Sequence, residues 1–484
     1  MSEEKQSDLG ITVKKNENFS EWYVQIIRKA ELADYAKVKG FTVVMPYGYS
    51  IWEKIRDYLD SKFKETGHKN AYFPSLIPES LLGKEAEHFS GFTPEVFWVT
   101  HAGNSELGER LATRPTSETI AYDSYSKWIK SWRDLPLLLN FWNSVLRAEI
   151  TGTKPFIRTS EFLWQEGHTV HATQEETDEE VMRMLNVYKE FVENILAVPA
   201  MTGKKSESEK FVGALYTMTL EGLMPDGKAL QMGTSHNLGQ NFSKSFEIKF
   251  IGKDEKEHFA WQASWGVSWR LIGAIVMVHG DDKGLILPPK IAPIEAVIVP
   301  IFYSDSDKEV VLQKIEDISQ LLSNKGMSVY ADTREQYTPG WKFNEWELKG
   351  VPLRIEIGPR DIKNKKITIV RRDTFEKLEV EEKLIYQETK RISEDIQGNL
   401  FKKAKDFMES HTTEVENYED FKKVLDEKGG FLKVFWCSKQ ECEEKIKDET
   451  GATIRLLSEE QKITSNCIYC GEKALTEAFF AKAY

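Results

Sequence analysis

Several short segments of the sequence place charged and hydroxyl side chains at spacings that bring them together. Thr116 and Glu118 are separated by one residue, so an extended backbone would direct both to one side, where they could hold an ammonium group. The same pair is typical of a helix start, because Ser or Thr followed by Glu before an apolar run caps a helix. The residues alone leave both interpretations open.

A second pair, Arg147 and Glu149, follows the apolar run LLLNFWNSVL. On a strand these two side chains would project together. Arg could then bind a phosphate through two donors, and Glu could accept from an exocyclic amine. A cross-strand ion pair on the surface is the alternative.

Aromatic and polar residues alternate between Phe156 and His168, as they do in a half-buried strand. The polar and aromatic candidates of this segment are Arg158, Phe162, Trp164, Glu166 and His168. This mixture suits a nucleotide, because rings stack on a base and cations bind phosphates. A strand in a solvent-facing sheet would have the same pattern.

Two further candidates lie nearer the middle of the chain. His236, in a segment with Gln231 and Thr234, has no partner at metal-ligand spacing, so we discount zinc there. It either lines a substrate site or lies in a turn. Arg270 lies in an apolar run that predicts a buried helix over 265–278. It could bind an anion or pair with a distant carboxylate.

Nucleotide sites of two common kinds are excluded, since the sequence has neither a Gly-x-x-x-x-Gly-Lys-Ser/Thr loop nor a convincing Gly-x-Gly-x-x-Gly motif. The cysteines are Cys437, Cys442, Cys467 and Cys470. Two thiolate pairs at these spacings predict a structural zinc site. A redox Cys-x-x-Cys pair is the alternative, but it would not account for the other pair.

Composition limits the class of protein. The 484 residues are 40% hydrophobic and 12% aromatic, which excludes a wholly disordered chain. No apolar run is long enough for a membrane span, and no secretory signal precedes residue 20. The net charge of −12 argues against nonspecific coating of nucleic acid. Clustered cysteines predict a reducing, cytoplasmic location.

Hydrophobic spacing predicts the elements that must position these residues. Helices are expected over 19–35, 50–64 and 177–196, and a short strand over 70–74. A linker at 284–289 precedes a small α/β domain. Its expected strands are 294–302, 327–331 and 352–357, with a helix over 307–324; a long charged helix follows over about 374–410.

Taken together and in order, these segments resemble class II aminoacyl-tRNA synthetases, and within them the archaeal and eukaryotic type of prolyl-tRNA synthetase. The segments that carry the resemblance are NAYFPSLIP, RPTSE, LRAE, FIRTSEFLWQEGHT, QMGTSHNLGQNF, GVSWRLIGA, PGWKFNEWELKGVPLRIEIGPRD and the terminal Tyr484. The resemblance implies a catalytic domain on an antiparallel sheet over 1–284. An α/β anticodon-binding domain over 285–395 and a small α/β zinc-binding domain over 396–484 would follow.

The resemblance also implies roles for individual residues. Thr116 and Glu118 would hold the imino nitrogen of proline, within a pocket shaped by Trp164, Glu166, His168 and His236. Arg147 would bind the α-phosphate and lie near the proline carboxylate, and Arg158 and Arg270 would bind the outer phosphates. Arg147 and Arg270 would therefore be the catalytic residues. Glu149 would read the adenine amino group, Phe162 would stack on the ring, and Gln231 and Thr234 would contact the nucleotide. Glu347, Arg354 and Asp361 would contact the anticodon, although from the sequence alone they could equally be surface ion pairs.

The implied reaction is ATP- and Mg²⁺-dependent activation of proline, followed by transfer to the 3′ end of tRNA(Pro), in a homodimer with structural zinc. The interval from His168 to Gln231 is too short for the editing insertion of the bacterial type, so we expect no cis-editing. A silent tRNA-binding relative would be marked by loss of Arg147, Glu149 or Arg270, and all are present. A synthetase of the same subclass for threonine or glycine is a further alternative. The threonyl enzyme would need a catalytic zinc with Cys and His ligands, and residues 1–436 contain no cysteine.

Overall fold

A computed structural model describes residues 10–86, 95–148, 152–302, 304–458 and 463–484. In the N-terminal part the helices are α1 (Phe19–Lys29), α2 (Pro46–Glu65), α3 (Glu79–Ala86), α4 (Glu118–Trp128), α5 (Gln174–Asn194), α6 (Asn241–Ser245) and α7 (Arg270–His279). The strands are β1 (Ala33–Tyr35), β2 (Thr42–Val44), β3 (Lys69–Asn70), β4 (Leu76–Pro78), β5 (Trp98–Ala102), β6 (Ser105–Thr113), β7 (Leu137–Leu146), β8 (Glu161–His171), β9 (Met201–Lys204), β10 (Tyr216–Leu223), β11 (Ala229–Gly239), β12 (Lys249–Ile251), β13 (Glu257–Phe259) and β14 (Trp261–Ser268).

The core of this part is an antiparallel sheet in the order β9-β10-β11-β14-β8-β7, with β3 parallel to β7 at the edge. Helix α5 packs on β11 and β14, and α2 packs against both α5 and α7. Their buried apolar side chains form one continuous cluster with the sheet. The predicted antiparallel-sheet fold class is therefore confirmed.

Local chemistry explains where these helices begin and end. The Asn18 side chain accepts from the Glu21 amide at the start of α1, and Glu31 has φ of 57°, a left-handed conformation that a helix cannot continue. The predicted helix over 19–35 is therefore too long, and 33–35 form β1. Helix α2 begins earlier than predicted, because Pro46 suits a first helical turn.

Two other predicted elements also shift. The Thr173 side chain caps α5 by accepting from the Glu176 amide, so that helix starts before the predicted residue 177. The strand expected over 70–74 is reduced to β3, Lys69–Asn70.

The predicted helix over 265–278 is wrong in its first turn. Residues Trp261–Ser268 form β14, which pairs with β8 on one side and β11 on the other. The helix begins only at Arg270. A strand buried between two neighbours and a buried helix give the same unbroken apolar run, so periodicity could not separate them.

A smaller α/β domain follows, as expected. Its elements are β15 (Ala296–Pro300), α8 (Asp305–Asn324), β16 (Val329–Ala331), α9 (Pro339–Leu348), β17 (Leu353–Ile357), α10 (Pro359–Asn364), β18 (Lys366–Arg371) and β19 (Lys377–Glu381). The sheet order is β16-β15-β17-β18-β19, parallel for the first three strands and antiparallel for the rest.

Helix α11 (Ile385–Ser410) connects this domain to the C-terminal unit. It is shorter than the predicted helix over 374–410, because residues Lys377–Glu381 pair with β18 as β19. The predicted domain limit at residue 395 falls inside α11.

The C-terminal unit contains β20 (Thr412–Glu414), α12 (Tyr418–Glu427), β21 (Phe431–Trp436), α13 (Gln440–Thr450), β22 (Thr453–Leu457) and β23 (Thr476–Ala481). Its strands run in the order β20-β21-β23-β22, and β22 lies next to β9. Within the described residues, the N-terminal part and the C-terminal unit therefore share one sheet of 11 strands.

The segment predicted as a linker, 284–289, is not exposed. Leu285 and Leu287 are fully buried, and their amides donate to the carbonyls of Leu348 and Gly350. The connection is thus fixed to the α/β domain. Among the described residues, no helix is long and apolar enough to span a bilayer.

Candidate active site

A cavity of about 290 Å³ opens among β8, β10, β11, β14 and the start of α4. It brings together most of the predicted site residues, namely Thr116, Glu118, Arg147, Phe162, Trp164, Glu166, His168, Gln231, Thr234, His236 and Arg270. On β8 the alternate residues face the cavity, as the two-residue period of a strand requires. The sheet therefore gathers residues that lie far apart in the sequence.

Glu166 is the most heavily bonded carboxylate of the cavity. It accepts from the Ser117 amide at 3.1 Å, from Asn143 Nδ2 at 2.9 Å and from His168 Nε2 at 3.0 Å, and the Ser117 hydroxyl also donates to it. Burial acts to raise the pKa of Glu166, but these donors outweigh it and lower the pKa below its ordinary value. Glu166 therefore carries a negative charge inside the protein.

Glu118 behaves in the opposite way, although it lies nearby. The Thr116 hydroxyl donates to it. Burial is the largest influence on the pKa of Glu118 and raises it; the charge of His168 opposes this and that of Glu166 adds to it. A cationic ligand placed beside Glu118 would favour its charged form.

The start of α4 reconciles the two interpretations of the Thr116–Glu118 segment. Ser117 is the N-cap residue of α4, as the helix-start interpretation expected. Its side chain makes no capping bond and instead donates to Glu166. Thr116 and Glu118 both line the cavity, so the helix start itself presents them to a ligand.

Arg147 lies just beyond the end of β7, between two aromatic rings. Its guanidinium carbon is 5.3 Å from the centre of the Phe162 ring and 5.7 Å from that of Trp164. The Trp164 indole is fixed in turn, because its Nε1 donates to Asn143 Oδ1 at 2.7 Å. These contacts hold a permanent positive charge at the cavity.

Arg270 opens α7 and donates from Nη1 to the Gln231 carbonyl at 3.1 Å. Its Nε is buried without a hydrogen-bond partner among the described residues. Burial, followed by the charge of Arg147, lowers the pKa of Arg270 to about 10. A cation so enclosed, with a free donor, suits an anionic ligand.

His236 is a neutral group at the opposite part of the wall. Burial, with a smaller effect of His168, lowers its pKa to about 3. Its Nδ1 lies 2.8 Å from the Thr217 hydroxyl, and its ring centre is 4.9 Å from that of Phe211. His236 lines the cavity, as one of its two interpretations expected.

One predicted residue that the structure describes lies outside this cavity. Arg158 is exposed and is absent from its lining. Glu149 lies outside the described residues. Conversely, sequence reasoning missed Lys205, Glu209, Phe211 and Thr217, which line the cavity. The first three lie in KKSESEKF, residues 204–211, which has the composition of an exposed turn, so nothing in the pattern marked it. Thr217 lies on β10.

Sequence profiles of three families match the chain. The profile "tRNA synthetase class II core domain (G, H, P, S and T)" matches residues 97–279, "Anticodon binding domain" matches 295–390, and "Prolyl-tRNA synthetase, C-terminal" matches 418–484. A protein of Cenarchaeum symbiosum named proline–tRNA ligase is 56% identical over 479 residues, covering 98% of this chain and 100% of the relative. The chain belongs to the prolyl-tRNA synthetase family.

Bacterial relatives are similar over the same length. Proteins named proline–tRNA ligase from Natranaerobius thermophilus and Alkaliphilus oremlandii are 52% and 54% identical, over 97% and 96% of this chain. In this member of the prolyl-tRNA synthetase family, the residues between His168 and Gln231 form the end of β8, α5, β9, β10 and their connections. The interval ends at the start of β11, and its longest connection, residues 205–215, contains no helix or strand, so this interval holds no inserted domain.

The four cysteines meet in the C-terminal unit of this prolyl-tRNA synthetase family member. Cys437 Sγ is 3.6 Å from Cys442 Sγ and 3.7 Å from Cys470 Sγ, and all four sulfur atoms lie within 4.8 Å of one another. A tetrahedral zinc with Zn–S bonds of about 2.3 Å separates its sulfur ligands by about 3.8 Å. The cluster therefore fits zinc, and none of these cysteines forms a disulfide.

In the anticodon-binding domain, the structure brings Glu347 and Arg354 together but not Asp361. Arg354 Nη1 donates to Glu347 Oε1 at 2.6 Å, and its Nε donates to Glu356 Oε1 at 3.0 Å. Asp361 instead accepts from the Gly358 amide at 2.8 Å and caps α10. Glu356, which is buried and bonded to Arg354, was not among the residues predicted from the sequence.

Proposed function

We propose that this protein is a proline–tRNA ligase, which activates L-proline with ATP and transfers it to the 3′ end of tRNA(Pro). The observation that carries the proposal is the cavity itself, where a buried carboxylate pair lies beside two arginines. The carboxylates match the imino group of proline, and the arginines match the phosphates of ATP. The family membership supplies the reaction class.

The carboxylate side of the cavity is proposed to bind proline. Thr116 and Glu118 receive the secondary ammonium, and Glu118 neutralises its charge. Glu166 is held by hydrogen bonds from Ser117 and His168, and it fixes this arrangement. The remaining predicted pocket residues, Trp164 and His236, line the same cavity and set its shape.

The arginine side is proposed to bind ATP. Arg147 contacts the α-phosphate and the proline carboxylate, and Phe162 beside it stacks on adenine. Arg270 binds an outer phosphate through the donor that has no partner within the described residues. Gln231 and Thr234 contact the nucleotide from β11. Arg158 and Glu149 keep their proposed roles with the outer phosphates and the adenine amino group.

These residues suffice for the chemistry of adenylate formation. The proline carboxylate is itself the nucleophile that attacks the α-phosphorus, so the protein need not supply a base. Its contribution is to align the two substrates and to stabilise the charge that develops on the phosphates. Mg²⁺, when bound with ATP, shields the phosphate charges.

The proposal also includes contacts with the anticodon, a structural metal, the location of the protein and its oligomeric state. Glu347, Arg354 and Asp361 contact guanines of the anticodon through their hydrogen-bonding edges. Zinc on the four cysteines stabilises the C-terminal unit. The protein is cytoplasmic. It forms a homodimer through the segment around Pro74, and sedimentation equilibrium tests the dimeric state.

The proposed domain limits are 1–284, 285–395 and 396–484. They are supported by the profile matches at 97–279, 295–390 and 418–484, each of which falls within one of them.

The test is ATP–pyrophosphate exchange with each of the twenty amino acids in turn, without tRNA. We expect exchange with proline and none of comparable rate with the others. Charging of a tRNA(Pro) transcript then tests the second step. Absence of exchange with every amino acid, in a protein shown to be folded, would refute the proposal.

A further inference from the structure

One wall of the cavity comes from a segment that no sequence motif marked. Lys205, Glu209 and Phe211 line the cavity, yet they lie in the connection between β9 and β10. At its start the Lys205 amide donates to the Thr217 carbonyl of β10, but the amides of Glu209 and Lys210 donate only locally, to the Ser206 carbonyl. Its position must therefore be set by what it packs against.

That support comes from the C-terminal unit, at several successive residues. Lys204 pairs with Leu457 where β9 meets β22. The Ser206 hydroxyl donates to Glu443 Oε1 at 2.7 Å, and both residues are buried. Glu209 Oε1 is 4.0 Å from Lys447 Nζ.

The strongest of these links is a buried group of three charges. Glu221, on β10, is fully buried and accepts from Lys205 Nζ at 2.9 Å. Arg455, on β22, donates to both oxygens of Glu221, from Nη2 at 3.1 and 3.0 Å and from Nε at 3.2 Å. Arg455 thus reaches the wall of the cavity from a different domain.

Two buried cations, Lys205 and Arg455, bond the one buried carboxylate of Glu221. Glu209, which is only partly buried, adds a weaker attraction to Lys205, so buried positive charge is in excess at the carboxylate of Glu221 itself. A polyanionic ligand in the adjoining cavity would compensate it. ATP, with its charged phosphates, is such a ligand.

The position of the cluster within the sheet points to the same side of the cavity. Glu221 lies opposite Gln231 in the pairing of β10 with β11. The Gln231 carbonyl accepts from Arg270 Nη1. After burial and Arg147, Glu221 and Arg455 are the next influences on the pKa of Arg270. The cluster therefore adjoins the proposed phosphate-binding side.

We propose that Arg455 is a positioning residue for ATP, which acts through Glu221 and Lys205, so that the C-terminal unit completes the active site. This inference rests on the proposed function. Arg455 touches no substrate. It holds the carboxylate that places the Lys205 ammonium in the cavity wall, and it maintains the positive charge of that wall.

The test uses the full-length protein and the substitutions Arg455→Met, Arg455→Lys and Lys205→Met. We expect Arg455→Met to raise the KM for ATP at least about tenfold, because it removes one partner of a buried charge network. The KM for proline should change less than the KM for ATP. The Lys205 ammonium bonds Glu221, opposite Gln231, whereas only Phe211 of the same segment contacts His236 of the proposed proline pocket. Arg455→Lys, which keeps the charge, should restore part of the ATP affinity.

The double variant Arg455→Met, Lys205→Met separates positioning from simple destabilisation. If Arg455 acts through Lys205, its loss adds little to the KM for ATP once Lys205 is gone. Lys433→Met is the matched control, because Lys433 pairs with Glu477 in the same unit at 3.2 Å without approaching the cavity. Melting temperatures and the burst of adenylate formation report the folded, active fraction of each variant.

The outcomes are distinct. Proline-dependent exchange by the unmodified protein must be present first, and its absence would refute the proposed function rather than this inference. With an active protein, an unchanged KM for ATP in Arg455→Met overturns the inference. The inference is also overturned if Arg455→Met lowers only the active fraction of the protein. Full additivity of the effects of Arg455→Met and Lys205→Met on the KM for ATP would overturn it as well.

Discussion

Glu118 and Glu166 lie in one buried pocket, but their pKa values shift in opposite directions. The difference follows from the number of donors, since Glu166 receives bonds from Ser117, Asn143 and His168. Glu118 accepts from the Thr116 hydroxyl and lines the cavity, where it is available to a ligand. One carboxylate thus supports the site while the other is available to bind.

A pH dependence of proline binding follows from the raised pKa of Glu118. Protonation removes the charge that pairs with the imino group, and it occurs above the ordinary carboxyl pKa of 4.5. We expect the KM for proline to rise as the pH falls through the pKa of Glu118, and to be unchanged above it. Exchange kinetics at a series of pH values measure this.

The matched variant for that measurement is Glu118→Gln, which keeps the shape and removes the charge. It should raise the KM for proline by about 10- to 100-fold, the cost of losing a charged hydrogen-bond partner. Its pH profile should be flat over the same range. A profile identical to that of the unmodified protein would show that another group titrates.

Arg270 provides a second prediction at this scale. Arg270→Lys keeps a positive charge but loses the planar group whose donors face both Gln231 and the cavity. We expect kcat/KM for ATP in pyrophosphate exchange to fall about 100-fold, as for other charge-stabilising groups. Arg133→Lys, on an exposed part of the chain, is the control and should leave the rate unchanged.

At the scale of elements, the close approach of β8 and β14 positions the site. Gly167 lies between the cavity residues Glu166 and His168, and a Cβ there would lie 2.1 Å from the Trp265 ring. The Trp265 side chain is buried in the main core and contacts Phe63 and Tyr188. The ring therefore has little room to move, and only glycine fits.

Gly167→Ala should accordingly destabilise the protein by about 1–3 kcal/mol, the range for overpacking a core. It should also lower exchange activity, because Glu166 and His168 flank the substituted residue. Gly108→Ala is the control, since no atom lies within 4 Å of a Cβ at that position in β6. Thermal unfolding of both variants tests the prediction, and equal melting temperatures would contradict it.

The sequence was sufficient to predict the helices that are buried on one face only. Amphipathic helices such as α2 and α5 have one buried face, and their periodicity predicted them to within a few residues. Elements buried on both sides were not separable, as with β14 and α7. The end of α1 depended on one left-handed residue, Glu31, which has no signature of its own.

Part of the candidate site was likewise predicted from the sequence, and part was missed. Residues on strands, such as Glu166 and His168, followed from alternation and from the family resemblance. The wall formed by Lys205 and Phe211 was missed, because its position depends on contacts with the distant C-terminal unit. Such contacts leave no local pattern in the sequence.

At the scale of the whole molecule, the cysteine cluster predicts a measurable metal content. We expect about one zinc per chain, and its loss in the variant Cys437→Ser, Cys442→Ser, together with a lower melting temperature. Metal analysis of the purified protein measures this. A variant that retained stoichiometric zinc would contradict four-cysteine ligation.

The organisation of the catalytic part leads to a prediction about proofreading. The interval between His168 and Gln231 is filled by core elements, so we expect no hydrolysis of alanyl-tRNA(Pro) above the spontaneous rate. The assay is deacylation of that species by the purified protein. An increase in rate that depends on protein concentration would overturn the prediction.

The shared sheet also has a consequence for how the protein is made. Strand β23, Thr476–Ala481, is the last of its strands to be synthesised, yet it lies between β21 and β22 in the interior of the sheet. During translation, β9 is synthesised long before β22. The edge of β9 that pairs with β22 is therefore unpaired until β22 has been made. The growing chain therefore exposes an unpaired strand edge, to which other chains can bind, until its final strands leave the ribosome. Chaperones are most needed during this interval.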